Sequence, residues 1–186
     1  MNYFEFFDLP VSFFLDEEDL KRHFYQNSKR FHPDFFTLDS PEKQAEILEL
    51  STLNNQAYRT LSDFDKRMEY ILQLHGIFAE EGKNQIPQDF LAEMMEVNEA
   101  IMELEFDFDP VVYQNALQSV QNLEIELFAG LRPTLENYRY ETSTTEELTA
   151  VRDYFFKKRY LLRFFENLDR FASALKKAAW NWKSRN

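Results

Sequence analysis

Residues 28–42 read Ser-Lys-Arg-Phe-His-Pro-Asp-Phe-Phe-Thr-Leu-Asp-Ser-Pro-Glu, and this stretch decides the fold. A residue that precedes proline is pushed out of the α region, so a helix that arrives from the N-terminal side ends at Phe31-His32. Ser40 followed by Pro41 is a typical helix start, because serine caps the helix and proline fits its first position. The sequence therefore predicts two helices joined by a loop that carries His32-Pro33-Asp34.

Each helix of this hairpin has one apolar face. The first helix is expected to start at Asp16-Glu17-Glu18-Asp19, where carboxylates meet the positive end of the helix dipole. Its apolar face consists of Leu20, Phe24 and Phe31, with Asn27 or Ser28 filling the gap. On the second helix the predicted buried positions are Ile47, Leu50, Leu53 or Asn54, Ala57, Tyr58 and Leu61. A shorter helix is predicted from the Ser62-Asp63 cap through Leu72, with its end at His75-Gly76.

The second half of the chain is also predicted to be helical. After Pro87, apolar residues recur at alternating steps of four and three, as in a helix that faces a bundle: Phe90, Met94, Val97, Ile101 and Leu104. Asp109-Pro110 starts another helix, which Gly130 and Pro133 are expected to kink or divide before Tyr140. Thr144-Thr145-Glu146-Glu147 is a capping box that opens the last long helix, which runs to about Trp182.

Together these elements predict an all-α protein. Residues 1–76 are expected to form an antiparallel helical hairpin with flanking helices, 77–88 a linker, and 89–186 an antiparallel three-helix bundle. The chain has 3 Gly and 6 Pro among 186 residues, which is too few turn formers for a many-stranded sandwich or barrel.

The composition excludes several kinds of site. There is no cysteine, which rules out a disulfide scaffold, a thiolate nucleophile and a Cys-ligated metal or cluster. The three histidines, His23, His32 and His75, include no i, i+4 pair, and the chain has no Glu-x-x-His repeat of the di-iron type. It also has no Gly-rich phosphate loop and no Gly-x-Ser-x-Gly. The sequence therefore predicts a protein that is not an enzyme and has no metal and no cofactor.

The charge of the chain limits its partners. The net charge of −12 argues against a general nucleic-acid binder, and no apolar run approaches the length of a membrane span. No basic-then-apolar leader opens the chain, so a cytoplasmic location is expected. Residues 151–186 carry +7 and residues 1–150 carry −19. The basic end can be a nucleic-acid tail or a helix whose bundle partner is acidic, and its periodic apolar residues favour the helix.

The loop and its flanking helices resemble a J-domain, the module by which co-chaperones engage DnaK-class chaperone ATPases. The tripeptide His32-Pro33-Asp34 alone makes only a stiff turn with an exposed ring and carboxylate. Here a basic helix precedes it, and Asn55-x-Ala57-Tyr58-x-x-Leu61 follows it. This combination is much more specific than the tripeptide.

Further positions resemble the HscB family, co-chaperones of iron–sulfur cluster assembly. They are Tyr3-Phe4-x-x-Phe7-x-Leu9-Pro10, Arg67-x-x-Tyr70-x-Leu72-x-Leu74-His75-Gly76 and the Phe90-Leu91 helix. The resemblance implies an adaptor that stimulates ATP hydrolysis by a DnaK/HscA-class chaperone and delivers an IscU-type iron–sulfur scaffold to it. It implies that the chaperone-binding residues are His32, Pro33, Asp34, Arg22, Lys29 and Arg30.

The resemblance also implies a scaffold-binding surface on the helix after Pro87, where acidic side chains surround apolar ones, with an aromatic residue on the last helix. The matching positions are Leu91, Met95, Glu96, Glu99, Glu103 and Tyr160, and Phe155, Phe156 and Phe164 are rivals to Tyr160. The residues alone leave a second interpretation open. Leu91 and Met95 can instead widen the buried face, while the glutamates form a solvated flank or pair with the basic last helix.

Two positions depart from the usual pattern of the family. Phe35 stands where lysine usually follows His-Pro-Asp, which removes a cation, and Ala92 stands where methionine is frequent, which reduces the apolar surface.

The alternative function is a general J-domain co-chaperone with a different client, although the chain has no Gly/Phe-rich linker and no Cys-rich zinc region. The basic end from Lys176 to Asn186, with Trp180 and Trp182, is expected to be structural.

Overall fold

The computed structural model describes the backbone of residues 1–77 and 86–183 and the side chains of residues 1–77 and 86–172. This part of the chain consists of helices and connecting turns and contains no β-strand, so the predicted all-α class is confirmed. Most of the linker predicted at 77–88 lies outside the described residues. So do the side chains from Lys176 onward, including Trp180 and Trp182.

Eight α-helices and one 3₁₀ turn make up the described part of the chain. The first half contains α1 (Tyr3–Phe6), α2 (Glu17–Arg30), the 3₁₀ turn (Pro33–Phe36), α3 (Pro41–Leu61) and α4 (Phe64–Leu74). The second half contains α5 (Gln88–Glu93), α6 (Met95–Phe106), α7 (Pro110–Asn137) and α8 (Thr145–Lys183).

Local hydrogen bonds start these helices where the sequence predicts. Asp16 Oδ1 accepts from the backbone N–H groups of Glu18 and Asp19, and Ser40 Oγ accepts from the N–H of Lys43. Thr144 and Glu147 each accept a hydrogen bond from the backbone N–H of the other, which completes the capping box of α8.

The end of α4 shows why glycine is needed there. Gly76 has φ = 65°, in the left-handed region that favours glycine. Its N–H donates to the carbonyl of Gln73, and the N–H of Ile77 donates to the carbonyl of Leu72, which is the Schellman arrangement. The predicted helix end at His75-Gly76 is confirmed.

Two helix predictions differ from the structure. The helix after Pro87 is interrupted at Met94, which ends α5 and precedes α6. In contrast, α7 continues through Gly130 and Pro133 to Asn137, so of the two expected outcomes, a kink or a division, the division does not occur. Proline removes one helical hydrogen bond, and the burial of Leu131 and Leu135 on either side of it stabilises the continuous helix.

The chain forms two compact units, and the first comprises Met1–Phe78 together with Thr134–Leu148. Residues 134–148 join it through Tyr138, whose ring centre lies 4.6 Å from that of Phe13 and whose hydroxyl lies 2.7 Å from Nε2 of His75. In the sequence these residues lie within 89–186, the segment predicted to form the helical bundle. Their packing depends on contacts between distant parts of the chain, which helical periodicity does not report.

The second unit comprises Ala79–Pro133 and Thr149–Asn186. Its core brings together buried residues from α5, α6, α7 and α8: Phe90, Met94, Val97, Ile101, Leu104, Ala116, Val120, Leu161, Phe164 and Leu168. All five members of the apolar stripe predicted after Pro87 are buried there, which confirms the stripe as a core face.

Candidate functional site

His32-Pro33-Asp34 lies in the exposed turn between α2 and α3. Pro33 is the first residue of the 3₁₀ turn, and the N–H of Phe35 donates to the carbonyl of His32 at 3.1 Å. Nδ1 of His32 accepts a hydrogen bond from the N–H of Asp34 at 3.3 Å. With Nδ1 as the acceptor, the neutral ring carries its proton on Nε2. These contacts orient both the ring and the carboxylate.

The Asp34 carboxylate points to solvent with 83% of its side chain exposed. Among the described side chains, the one basic group within 4.0 Å of it is His32, whose Nδ1 lies 3.8 Å from Oδ2 and accepts the N–H of Asp34, so the neutral ring offers no positive charge there. Such a solvent-exposed pair contributes little to the free energy of folding. The Asp34 charge is therefore available to a cation on another protein.

The loop after Asp34 is anchored to α3. Gln44 Nε2 donates to the carbonyl of Thr37 at 3.3 Å and to that of Asp39 at 2.9 Å. A cleft of about 300 Å³, lined by Pro33, Asp34 and the start of α3, lies beside the turn. Phe35 is 73% exposed, so the residue that departs from the family pattern faces solvent beside His32.

The cations predicted to dock a chaperone lie on the exposed side of α2. Arg22 pairs with Asp19 one turn earlier, whereas Lys29 and Arg30, in the last turn, form no ion pair within the described part of the chain. The guanidinium of Arg30 lies 5.2 Å from the ring centre of Phe31. Two cations that have no ion pair among the described residues therefore lie directly before the His32 turn.

Tyr25 is a further residue of this surface, outside the sequence motifs quoted above. Its ring is exposed, and it lies three residues after Arg22 and four before Lys29, which is the spacing of one helical turn in each direction. This helical spacing relative to Arg22 and Lys29 is the sequence signal that identifies Tyr25 as a residue of the same surface.

A second exposed surface lies on α5 and α6. Leu91 and Met95 are 37% and 59% exposed, so the interpretation that they widen the buried face does not hold. Glu96, Glu99 and Glu103 are also exposed and form no ion pair with any described side chain. Glu96 additionally lines a cleft of about 290 Å³ between α6 and α7.

Tyr160 on α8 lies next to this surface rather than fully within it. Its ring is half-buried and meets the ring of Phe90 edge-on, with 5.9 Å between centres. The ammonium of Lys157 lies 5.3 Å from the centre of the same Phe90 ring. Of the rival aromatics, Phe155 and Phe164 are buried and Phe156 is half-buried. Tyr160 therefore packs against Phe90, the residue immediately before Leu91.

The exposed charges and apolar groups of both surfaces suit protein recognition. Among the described residues, no three histidine, aspartate or glutamate side chains are arranged to hold a metal ion. In the same part of the chain, no helix combines the length and hydropathy needed to cross a bilayer.

Comparison with known proteins identifies the second half of the chain. Residues 86–169 match the family model described as the HSCB C-terminal oligomerisation domain. A co-chaperone protein HscB homolog from Neisseria meningitidis is 30% identical over 145 residues, which cover 77% of this chain and 87% of that protein. A homolog from Vibrio cholerae is 41% identical over 112 residues, which cover 59% of this chain and 65% of that protein.

Two solved structures resemble the whole fold. Chaperone HscB from Vibrio cholerae has a TM-score of 0.68 and 28% identity and covers 94% of this chain and 99% of its own. Human co-chaperone protein HscB has a TM-score of 0.69 and 27% identity and covers 95% and 82%. The helical hairpin with its His-Pro-Asp turn and the helical bundle thus define a J-domain co-chaperone, not an enzyme. The chain belongs to the HscB family.

Proposed function

We propose that this co-chaperone stimulates ATP hydrolysis by a DnaK/HscA-class chaperone and delivers an IscU-type iron–sulfur cluster scaffold to it. The chaperone-binding residues in this proposal are His32, Pro33, Asp34, Arg22, Lys29 and Arg30, and the scaffold-binding residues are Leu91, Met95, Glu96, Glu99, Glu103 and Tyr160. In this proposal, the protein serves iron–sulfur cluster assembly.

The exposed Asp34 carboxylate is the observation that carries the chaperone part of the proposal. It is oriented by the turn and has no strong partner within the described residues. Lys29 and Arg30 lie in the last turn of α2, before the His32 turn, and form no ion pair within the described residues. A partner with one cation for Asp34 and acidic groups for the two basic residues satisfies all three charges. Such charges steer the encounter and set its orientation.

The scaffold part is supported by the exposure of Leu91 and Met95. Isolated exposed apolar residues are common, but a cluster bordered by polar groups is typical of a protein interface. Methionine suits such a surface because its flexible side chain repacks easily. Glu99 and Glu103 favour a partner with basic groups around an apolar centre.

The test of the proposal is steady-state ATP turnover by the DnaK/HscA-class chaperone of the same organism. We expect stimulation by this protein, a further synergistic increase on adding the IscU-type scaffold, and a loss of stimulation of more than about tenfold in Asp34→Asn. Asp39→Asn makes the same chemical change in the same loop and serves as the matched control.

The outcomes separate the candidate functions. Stimulation that depends on Asp34 and rises with the scaffold agrees with the proposal. Stimulation that depends on Asp34 but ignores the scaffold indicates a J-domain co-chaperone with a different client. Absence of stimulation by the wild-type protein contradicts the proposal.

A further inference from the structure

An apolar strip follows the exposed side of α5 and α6 beyond the residues named above. Its members, with their exposed fractions, are Leu91 at 37%, Met95 at 59%, Met102 at 59% and Phe106 at 90%. Steps of seven and four residues join the last three, so they share one face of α6. At 1.5 Å per residue, the distance from Met95 to Phe106 along the helix is about 16 Å.

This strip is separate from the core face of the same helix. Val97, Ile101 and Leu104 are the buried residues of α6, and each belongs to the core of the second unit. Phe106 is the last residue of the helix, and its ring stacks on no other described aromatic ring. Packing among the described residues of the unit therefore does not explain the apolar character of Met102 and Phe106.

Acidic residues border the strip near its C-terminal end. Glu99 and Glu103 lie on one side, Glu105 lies on the other, and Asp107 follows Phe106 directly. All four are exposed, and no described cation lies within ion-pair distance of any of them. A second copy that met this strip face to face would oppose like charges, which is unfavourable. A partner with a basic rim and an apolar centre is complementary.

We propose that Met102 and Phe106 extend the scaffold-binding surface along α6, so that the partner contacts the strip from Leu91 to Phe106. The inference rests on the proposed function, since the occupant is the same IscU-type scaffold. Phe106 supplies the largest exposed apolar side chain at the far end, and Glu103 and Glu105 bind basic groups on either side of it.

The experiment measures the affinity of the full chain for the purified IscU-type scaffold of the same organism by titration calorimetry. Met102→Ala and Phe106→Ala together are expected to weaken binding by about tenfold, because both remove apolar area that the complex buries. Ile125→Ala is the matched control. Ile125 is an exposed apolar residue of α7 in the same unit, and its removal is expected to leave the affinity unchanged.

Folding does not confound this test, because both side chains lie outside the core and their truncation is expected to leave the thermal unfolding midpoint unchanged. A Met95→Ala/Glu99→Gln variant separates the two proposals. If it weakens binding while Met102→Ala/Phe106→Ala does not, the extension is wrong and the proposed function stands. If the wild-type chain does not bind the scaffold, both fail. If the Met102→Ala/Phe106→Ala variant changes only self-association in sedimentation, the occupant is a second copy and the inference is overturned.

Discussion

Asn54 of α3 donates a hydrogen bond from Nδ2 to Oγ of Ser28 on α2, across 3.0 Å. The same nitrogen donates to the carbonyl of Phe24 at 3.2 Å, and Ser28 Oγ donates to that carbonyl at 2.8 Å. Asn54 is only 2% exposed, so this cluster ties the two helices of the hairpin together in the interior. It thereby sets how α2 and α3 present the His32 turn.

Replacing Asn54 by alanine is expected to lower the free energy of unfolding by about 2 kcal/mol, because it removes two interhelical hydrogen bonds and leaves a small cavity. Urea denaturation measures the change. Asn55→Ala is the control, since Asn55 is exposed and donates only to Ser51 within its own helix. Equal losses in the two variants would show that the interhelical contact contributes nothing.

Arg67 offers a second stability prediction. It is 95% buried, its Nε donates to the carbonyl of Phe13 at 3.0 Å, and its Nη1 donates to the carbonyl of Leu61. Arg67→Ala leaves two buried carbonyls without these donors, so we expect a loss of about 3 kcal/mol in unfolding free energy. The exposed Arg59→Ala is the comparison in the same denaturation series, with a change within about 0.5 kcal/mol. A mild Arg67→Ala phenotype would refute this role.

His75 predicts a pH dependence of stability. Burial lowers the pKa of His75 below its ordinary 6.5, so the folded protein favours the neutral ring that contacts Tyr138. Well above pH 6.5 the ring is neutral in both the folded and the unfolded state. As the pH falls below 6.5, the unfolded chain binds a proton first and stability declines. Thermal unfolding midpoints between pH 8 and pH 5 measure the decline, which is expected to be smaller in His75→Gln.

His23→Gln is the control for the loss of one imidazole, and we expect it to retain the decline of the wild type. Tyr138→Phe removes the hydroxyl partner of His75 and is expected to cost about 1 kcal/mol at neutral pH. A wild-type midpoint that does not fall between pH 6.5 and pH 5 would contradict the assignment.

Phe35 supplies a prediction about the chaperone contact. Phe35→Lys adds a cation beside the His32 turn at a residue that is exposed, so the fold is expected to persist. On the proposed function, we expect the concentration for half-maximal ATPase stimulation to fall about threefold at low salt and the salt dependence to steepen. Leu38→Lys adds the same charge three residues further along the same loop. An identical effect in both variants would indicate general charge attraction rather than a contact at position 35.

Much of the fold was predictable because its signals are local. The Asp16 cap, the Ser40-Pro41 start and Gly76 act through atoms within about one helical turn, so their residue types identify the helix ends. The stripe that contains Phe90 and Met94 was predictable for a related reason, since helical periodicity identifies the face that must be buried. The exposed position of Asp34 followed from the turn between the two helices.

The burial of some other side chains could not be predicted from such local signals. Sequence spacing placed Leu53, or alternatively Asn54, at one buried position, and the structure buries Asn54, which contacts Ser28, 26 residues away. The same spacing left Leu91 and Met95 either in the core or on the surface. Only the arrangement of α7 and α8 around α6 determines how wide the buried face is.

The sequence by itself determined the helical class, the helix ends at Asp16, Ser40 and Gly76, and the loop that carries His32-Pro33-Asp34, because those depend on interactions between near neighbours in the chain. The tertiary structure alone decided that residues 134–148 pack with the first unit, that Arg67 reaches the carbonyl of Phe13, and that Met102 and Phe106 stay exposed. Each of these depends on contacts between residues that are far apart in the chain. Which residues become buried is therefore set by the free energy of the whole fold.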